Sequence, residues 1–308
     1  MRRSADVVSA RPTREVPCYL CGRDDPRTMF RQPPYRVVRC QGCGLVYTLP
    51  RLDPEQIEAM YQTAYWHSEE AREFGYTDYL NDRELYLATY RMRREVIRSR
   101  KPEPGRVLDV GSAAGCFLAT MAEIGWDCHG VELSTYMSDK SRELFGLDQI
   151  VCGSILDTDL PLGSFDAITF WDVVEHLEDP IPHLRMAHRL LKPDGLLIVE
   201  TQNVESWFAK LLGRRWHHYK MAEHLYHFGP ETAAKLLDRA GFVVEQNSPR
   251  RGGKQVSMNF LVERVGKIHP LLSVLASPLH LVGRFALYVN LFDEMLIVAR
   301  KRPESWES

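Results

Sequence analysis

Apolar residues in the second two-thirds of the chain come in short unbroken runs rather than alternating with polar ones. These runs fall at residues 106–110, 128–132, 149–153, 165–171, 195–201, 242–245 and 295–299, with amphipathic stretches between most of them. A strand that is apolar on both faces is buried on both faces, which is the condition of a parallel sheet covered by helices. The pattern predicts an α/β, Rossmann-like sheet of seven strands. The break Pro102-Glu-Pro-Gly105 separates this domain, residues 101–302, from what precedes it.

The N-terminal third reads differently. Residues 1–16 are polar and aperiodic and predict a flexible tail. Residues 17–50 hold four cysteines, a Pro33-Pro34 turn and two β-type runs, Tyr35-Arg-Val-Val-Arg39 and Gly44-Leu-Val-Tyr47, and predict one compact module. Residues 51–100 predict a helical linker that caps the cofactor site, starting at Asp53-Pro54-Glu55 with Asp as N-cap and Pro in the first turn. A further insertion, 252–291, is rich in Leu, Val and Phe but is interrupted by Pro270, Pro278 and Gly283 and carries His269, His280 and Arg284. It predicts packing helices or a lid before the last strand, not a transmembrane span. Its apolar surface, through 268–291, is also a candidate for peripheral membrane or dimer contact.

Composition narrows the classes. With 308 residues and 44% apolar content the chain supports one large core and a small accessory module. A net charge of -2 provides no broad basic field, so nucleic acid is not the expected partner. No apolar stretch follows Arg2-Arg3, and the expected location is the cytoplasm. Seven cysteines, an odd number, argue against a disulfide framework there and turn attention to metal.

Cys18-x2-Cys21 and Cys40-x2-Cys43 have the spacing of a four-thiolate zinc ribbon, with Gly22 and Gly44 after each pair allowing the backbone to fold around an ion. Redox chemistry is the rival reading of a single pair. Two pairs joined by a β-rich span favour tetrahedral zinc, structural because no position stays open to water. Cys116, Cys128 and Cys152 lie in apolar surroundings and are expected to be inert.

Val107-Leu-Asp-Val-Gly-Ser-Ala-Ala-Gly-Cys-Phe-Leu118 ends a buried strand in a small-residue turn before a helix, and Glu132 closes the next strand. That is the layout of a nucleotide site. The spacing Gly111-x3-Gly115 is not the Gly-x-Gly-x-x-Gly that lets a pyrophosphate approach a helix N-terminus, and this shorter loop suits a cofactor without phosphates. Glu132 offers two acceptor oxygens to a ribose diol.

These residues resemble the class I S-adenosylmethionine-dependent methyltransferases, whose first motif reads Asp-x-Gly-x-Gly-x-Gly. The resemblance continues through Cys152-Gly-Ser-Ile, Phe165-Asp166, Trp171-Asp-Val-Val-Glu-His176 and Leu191-Lys-Pro-Asp-Gly195. It departs at Ala113, where the family often has its middle glycine. It implies S-adenosylmethionine as cofactor, with Asp109 and Gly111 toward the methionine portion, Glu132 on the ribose, and Ser154 and Ile155 at the adenine edge. Ser112, Ala113, Gly115, Phe117, Leu133, Trp171 and Asp172 complete the implied cofactor shell. The four-cysteine module and Tyr61-Gln-Thr-Ala-Tyr65-Trp are similar to those of zinc-bearing sugar C-methyltransferases.

Methyl transfer from a sulfonium needs a positioned acceptor and, for a protonated acceptor, a base. His176 after the fourth strand and His224 after the fifth fall at the carboxyl edge of the sheet, where such folds bind ligands. The segment Met221-Ala-Glu-His-Leu-Tyr-His-Phe228 is similar to a Tyr-His-Glu-His-x-x-Tyr-Phe segment of the sugar C-methyltransferases, retaining Glu223, His224 and Phe228. That likeness implies His224 as base; Glu223 beside it is expected to raise its basicity. Asn/Asp-Pro-Pro-Tyr, the signature of amine methylation on adenine, is absent. Upstream, Gly213-Arg-Arg-Trp-His-His-Tyr-Lys220 combines cations and rings in a way that suits a nucleotide-linked or otherwise phosphorylated acceptor. The expected activity is methylation of a small molecule or glycan. Two alternatives stay open: RNA methylation, since zinc ribbons also deliver nucleic acids, and a non-catalytic interaction protein. The acidic balance argues against the first and the intact Asp109, Gly111, Gly115 and Glu132 against the second.

Overall fold

The computed structural model describes residues 13–53, 56–57, 66, 80–258 and 285–302. In chain order the elements are β1 (Thr13–Arg14), β2 (Pro26–Gln32), β3 (Tyr35–Cys40), β4 (Val46–Leu49), β5 (Arg51–Leu52), α1 (Arg83–Arg98), β6 (Arg106–Val110), α2 (Cys116–Ala122), β7 (Asp127–Glu132), α3 (Thr135–Phe145), β8 (Ile150–Cys152), β9 (Phe165–Trp171), α4 (Pro180–Leu190) and β10 (Leu191–Gln202). They continue as α5 (Trp207–Leu212), β11 (Tyr226–His227), α6 (Pro230–Arg239), β12 (Phe242–Ser248), β13 (Lys254–Ser257), β14 (Ala286–Val289) and β15 (Glu294–Lys301).

All seven strands expected from the apolar runs are present in one sheet, ordered β12-β15-β10-β9-β6-β7-β8. The pairs from β10 to β8 are parallel, whereas β15 runs antiparallel to both β10 and β12. The order reverses at β6 and β9, so the carboxyl ends of the central strands open a crevice between the outgoing connections. Val107, Leu108, Ala167, Ile168, Phe170, Leu197, Ile198, Leu296 and Val298 are all buried, which is why the runs are continuous rather than alternating.

The cysteine-bearing residues form a four-stranded sheet, β11-β4-β3-β2. Its fourth strand comes from the main domain: Tyr226 pairs with Tyr47 and His227 with Val46. Leu20, Val38, Leu45, Tyr47 and Leu49 share one apolar cluster with Ile168, Phe170, Ile181, Phe228 and Leu236. Arg51 donates to the Tyr226 hydroxyl at 2.9 Å and lies 4.4 Å over its ring, and that hydroxyl donates to the Glu178 carbonyl at 2.7 Å. The packing therefore runs without a gap across residue 50.

Two sequence boundaries shift. The tail expected through residue 16 gives way earlier, since Thr13 pairs with Leu52. In the linker the long helix is α1; residues 54–55, 58–65 and 67–79 lie outside the described residues. The insertion expected to be helical over 252–291 is extended at both ends, where β13 and β14 pair antiparallel from Lys254 to Val289. Residues 259–284, and with them most of the 268–291 surface, are outside the described residues. Among the described residues no helix is long and apolar enough to cross a membrane.

Because Tyr47 is fully buried in that shared cluster, Tyr47→Ala is expected to cost about 3–5 kcal/mol, the range for removing a large aromatic from a core. Thermal unfolding should still show one transition, shifted down as a whole. An early separate transition with the main melt unmoved would show that the two sheets are energetically independent.

Candidate functional site

Where β6 ends, Gly111 turns the chain at φ 74° and Gly115 opens α2 at φ 77°. A Cβ at Gly111 would stand 2.6 Å from Val173 Cγ2, so both conformation and space demand glycine. Ala113, the departure from the motif, also takes a positive φ of 47°, a left-handed conformation strained for a residue with a Cβ. Its N–H donates to Glu132 Oε2 at 2.8 Å, and the Ser134 N–H donates to Oε1 at 2.8 Å. Burial pushes the Glu132 carboxyl upward and these N–H groups pull it back. One bond per oxygen orients the carboxylate and leaves acceptor capacity on both atoms for a diol.

The loop borders a cavity of about 750 Å³. Gly111, Ser112, Ala113, Glu132, Leu133, Ser154, Trp171 and Asp172 line it. Four residues expected in the cofactor shell stand behind the wall instead. Gly115 packs against Leu147 and Ser141. Phe117 packs its ring at a tilt, 5.1 Å from that of Trp171, and so supports a lining residue, while Ile155 belongs to the main apolar cluster. Asp109 is buried beneath the loop, where Thr169 Oγ1 donates to its Oδ1 at 2.6 Å. Burial raises its carboxyl to about 8 despite that bond, so at neutral pH it is a protonated strut.

Sequence reasoning missed a second set of lining residues. Tyr90 and Arg93 of α1, and Lys254 of β13, reach the same cavity. Arg93 pairs with Glu200 inside the molecule and Lys254 pairs with Asp172 at 3.0 Å and Glu294 at 2.6 Å. For Lys254, burial lowers the pKa but the attraction of Asp172 and Glu294 wins and drives it well above the usual lysine range. The only advance signal was an arginine on the apolar face of α1. Nothing in the sequence marked Lys254.

At the other end of the cavity lie Glu175, His176, Glu223 and His224. The His176 and His224 rings meet edge to face at 4.6 Å. Burial, then Lys220, lowers His176 to about 4. Burial, then His176 and Lys220, holds His224 well below its ordinary value. The expected boost from Glu223 is not among these influences: the Glu223 carboxylate takes Lys220 Nζ at 3.4 Å. His224 is thus a neutral, weak base. The arginine part of the phosphate expectation also fails, since Arg214 and Arg215 are exposed and do not line the cavity, whereas His217, His218 and Lys220 do.

The four cysteine sulfurs lie within 4.8 Å of one another, with Cys18 and Cys43 at 3.5 Å and Cys21 and Cys40 at 3.4 Å. Thiolates about 2.3 Å from a tetrahedral zinc stand roughly 3.8 Å apart, so the cluster fits that ion with little movement. The Gly42 N–H donates to Cys40 Sγ at 3.3 Å. At Cys40 burial raises the thiol, but backbone donors from Cys43 and Gly42 and the neighbouring thiols outweigh it and bring it to about 7.

A family profile described as methyltransferase domain matches residues 79–247, more than half of the chain. The chain belongs to this methyltransferase-domain family. It is similar to a ubiquinone biosynthesis O-methyltransferase of Xanthomonas oryzae pv. oryzae, 35% identical over 132 residues that make up 37% of this chain and 55% of that protein. The chain thus spans about half the length of the Xanthomonas relative. A protein of the same description from Roseobacter denitrificans is 27% identical over 241 residues, covering 70% of this chain and 96% of that one. Among solved structures, the 1,6-didemethyltoxoflavin-N1-methyltransferase of Burkholderia thailandensis with bound 1,6-didemethyltoxoflavin and S-adenosylhomocysteine aligns at TM-score 0.52 and 15% identity, over 91% of this chain and all of that one. That likeness shows the shared fold.

Asp109 generates a pH prediction. Its folded value of about 8 exceeds the ordinary 3.8, so between those limits the folded chain holds a proton that the unfolded chain has released. Its contribution to stability therefore falls as pH rises through that window. Asp109→Asn keeps the shape without the charge, and its unfolding free energy should fall less steeply than wild type between pH 5 and about 8. Parallel pH profiles for the two proteins would show that Asp109 is ionised in the fold.

Proposed function

We propose that the chain transfers the methyl group of S-adenosylmethionine to a hydroxyl of a small molecule, with His224 receiving the hydroxyl proton. The observation that carries this reading is the continuity of the cavity, which joins the Gly111–Glu132 loop to the His176–His224 pair. In it Glu132 holds the cofactor ribose, Gly111 permits close backbone approach, and Trp171 and Asp172 border the reacting centre. Buried imidazoles of low pKa are neutral at physiological pH and accept a proton readily only from an acidic donor. That favours a phenol-like or enolic hydroxyl over an alkyl alcohol, in keeping with the O-methyltransferase description of the relatives. Exposure of Arg214 and Arg215 removes most of the support for a phosphorylated acceptor.

Binding and turnover should separate. Glu132→Ala is expected to weaken S-adenosylmethionine binding by about 1.5–3 kcal/mol in calorimetry, the range for hydrogen bonds to a charged group. His224→Ala should leave that binding nearly unchanged while lowering kcat about 10²- to 10⁴-fold toward a phenolic acceptor. Normal turnover by His224→Ala would remove the base from the reading. Failure of the wild type to bind S-adenosylmethionine would remove the whole reading.

We also propose that Cys18, Cys21, Cys40 and Cys43 hold a structural zinc ion, supported by the sulfur spacing and the backbone donor to Cys40 Sγ. Metal analysis is expected to find one zinc per chain. Cys40→Ser should lose it and lower the melting temperature of the whole chain, because β4 packs into the common core. Zinc-free wild-type protein, purified without chelator, would contradict the assignment.

A further inference from the structure

A second group of metal-ligating side chains stands beside the cavity and is used by nothing described above. The Nε2 atoms of His217 and His218 each lie 3.7 Å from Asp293 Oδ2, and the donor atoms of the three residues all fall within 4.8 Å of one another. His218 Nε2 is also 3.5 Å from Glu294 Oε1. At 3.7 Å neither imidazole makes a hydrogen bond to Asp293. The three donor atoms lie close enough together to share one ion. Ligands held about 2.1 Å from a tetrahedral ion stand roughly 3.4 Å apart, close to the spacing seen here.

The surroundings suit a cation. Trp216 Nε1 donates to Asp293 Oδ2 at 2.8 Å and fixes the carboxylate, the outer support that metal-binding carboxylates commonly receive. The described ion pairs of Asp293 are with His217 and His218 alone. Nearby, the half-buried Asp172 and the buried Glu200 and Glu294 pair with Arg93 and Lys254. Counting Asp293, four carboxyl groups stand near these two cationic side chains. His217 and His218 line the cavity, so an ion there presents its open positions to the bound molecule.

We propose that His217, His218 and Asp293 form a divalent-cation site whose open positions take an oxygen of the acceptor. Two imidazoles with carboxylate select a first-row ion such as Mn2+, Co2+ or Zn2+ over Mg2+, which prefers all-oxygen shells. The site is distinct from the cysteine cluster; ion binding stands apart from the methyl-transfer reading, whereas the contact with the acceptor oxygen rests on it.

The test is a Mn2+ titration of the purified chain followed by electron paramagnetic resonance, with no cofactor or acceptor present. Mn2+ avoids the thiolate cluster because it is a harder ion. One Mn2+ per chain is expected, with nitrogen couplings from two imidazoles. His217→Gln, at a partly exposed position, and Asp293→Asn should each weaken binding by ten- to a hundredfold or more, on the order of what even supporting residues contribute. Asp293→Asn also risks loosening Trp216, so His217→Gln with an unchanged melting temperature is the deciding variant. Glu175→Gln should leave Mn2+ binding intact. Absence of binding by the wild type, binding that survives His217→Gln and Asp293→Asn together, or binding lost through Glu175→Gln, which belongs to the neighbouring Glu175–His176–His224 group, would each overturn the proposal.

Discussion

The segment from His224 to His227 is clamped from two sides, and the His176–His224 part of the cavity depends on that clamp. The Glu175 carbonyl accepts the N–H groups of Leu225 at 2.9 Å and Tyr226 at 3.3 Å. From the opposite side, the Thr48 N–H donates to the Leu225 carbonyl at 3.0 Å, and Thr48 Oγ1 donates to the His224 carbonyl at 3.1 Å. The loop after β9 and the cysteine-bearing sheet thus hold one short strand between them. Every buried backbone group that finds a partner here is one that need not be hydrated, so the arrangement is strongly preferred over a displaced loop. The position of His224 follows from this register rather than from its own side-chain bonds.

A second constraint is electrostatic. Arg93, Glu200, Glu294, Lys254 and Asp172 bring five ionisable groups together beside the cavity, with Arg93 and Glu200 almost fully inside. Burying such groups costs several kcal/mol per ion before their mutual attraction is counted, and apolar residues of equal size are often at least as stabilising. The fold tolerates the cost where α1, β10, β13 and β15 converge. Tyr90 and Trp171, whose rings lie 5.8 Å apart, cover Arg93 at 5.5 Å each. The charged groups are therefore fixed in direction and present a defined field to whatever occupies the cavity.

The central sheet was legible because parallel strands buried on both faces write continuous apolar runs, and no other element of this length does so. β9 coincides with its run, while β10 and β15 extend past theirs into polar residues that pair in the sheet without being apolar. Much of the cofactor loop was legible too, since glycine positions report backbone conformation directly. What could not be read was side-chain surroundings. Asp109 and Glu132 are both acids at or near strand ends, yet one is a protonated strut buried beneath the loop and the other lines the cavity, a difference of placement that position in a strand does not encode. Tyr226–His227 is too short to leave a periodic signal. The influence expected of Glu223 on His224 failed for the same reason, because adjacency in sequence does not set which way two side chains point.

The clamp also ties the cysteine cluster, remote from the cofactor loop, to the same working unit. Cys40 ends β3, β3 pairs with β4, and Thr48 of β4 holds the His224 carbonyl. The pairing of β3 with β4 sets Val37 opposite Thr48, so an ion held by the cysteines would steady the register that places Thr48. Loss of that order would release the His224–His227 segment on one side while Glu175 still held it on the other. The cofactor loop, built on β6 and β7 at the far side of the sheet, shares none of these contacts. Loosening the cysteine turn should therefore disturb the His224 part of the cavity before the Glu132 part, as the division of hydrogen bonds between the two regions dictates.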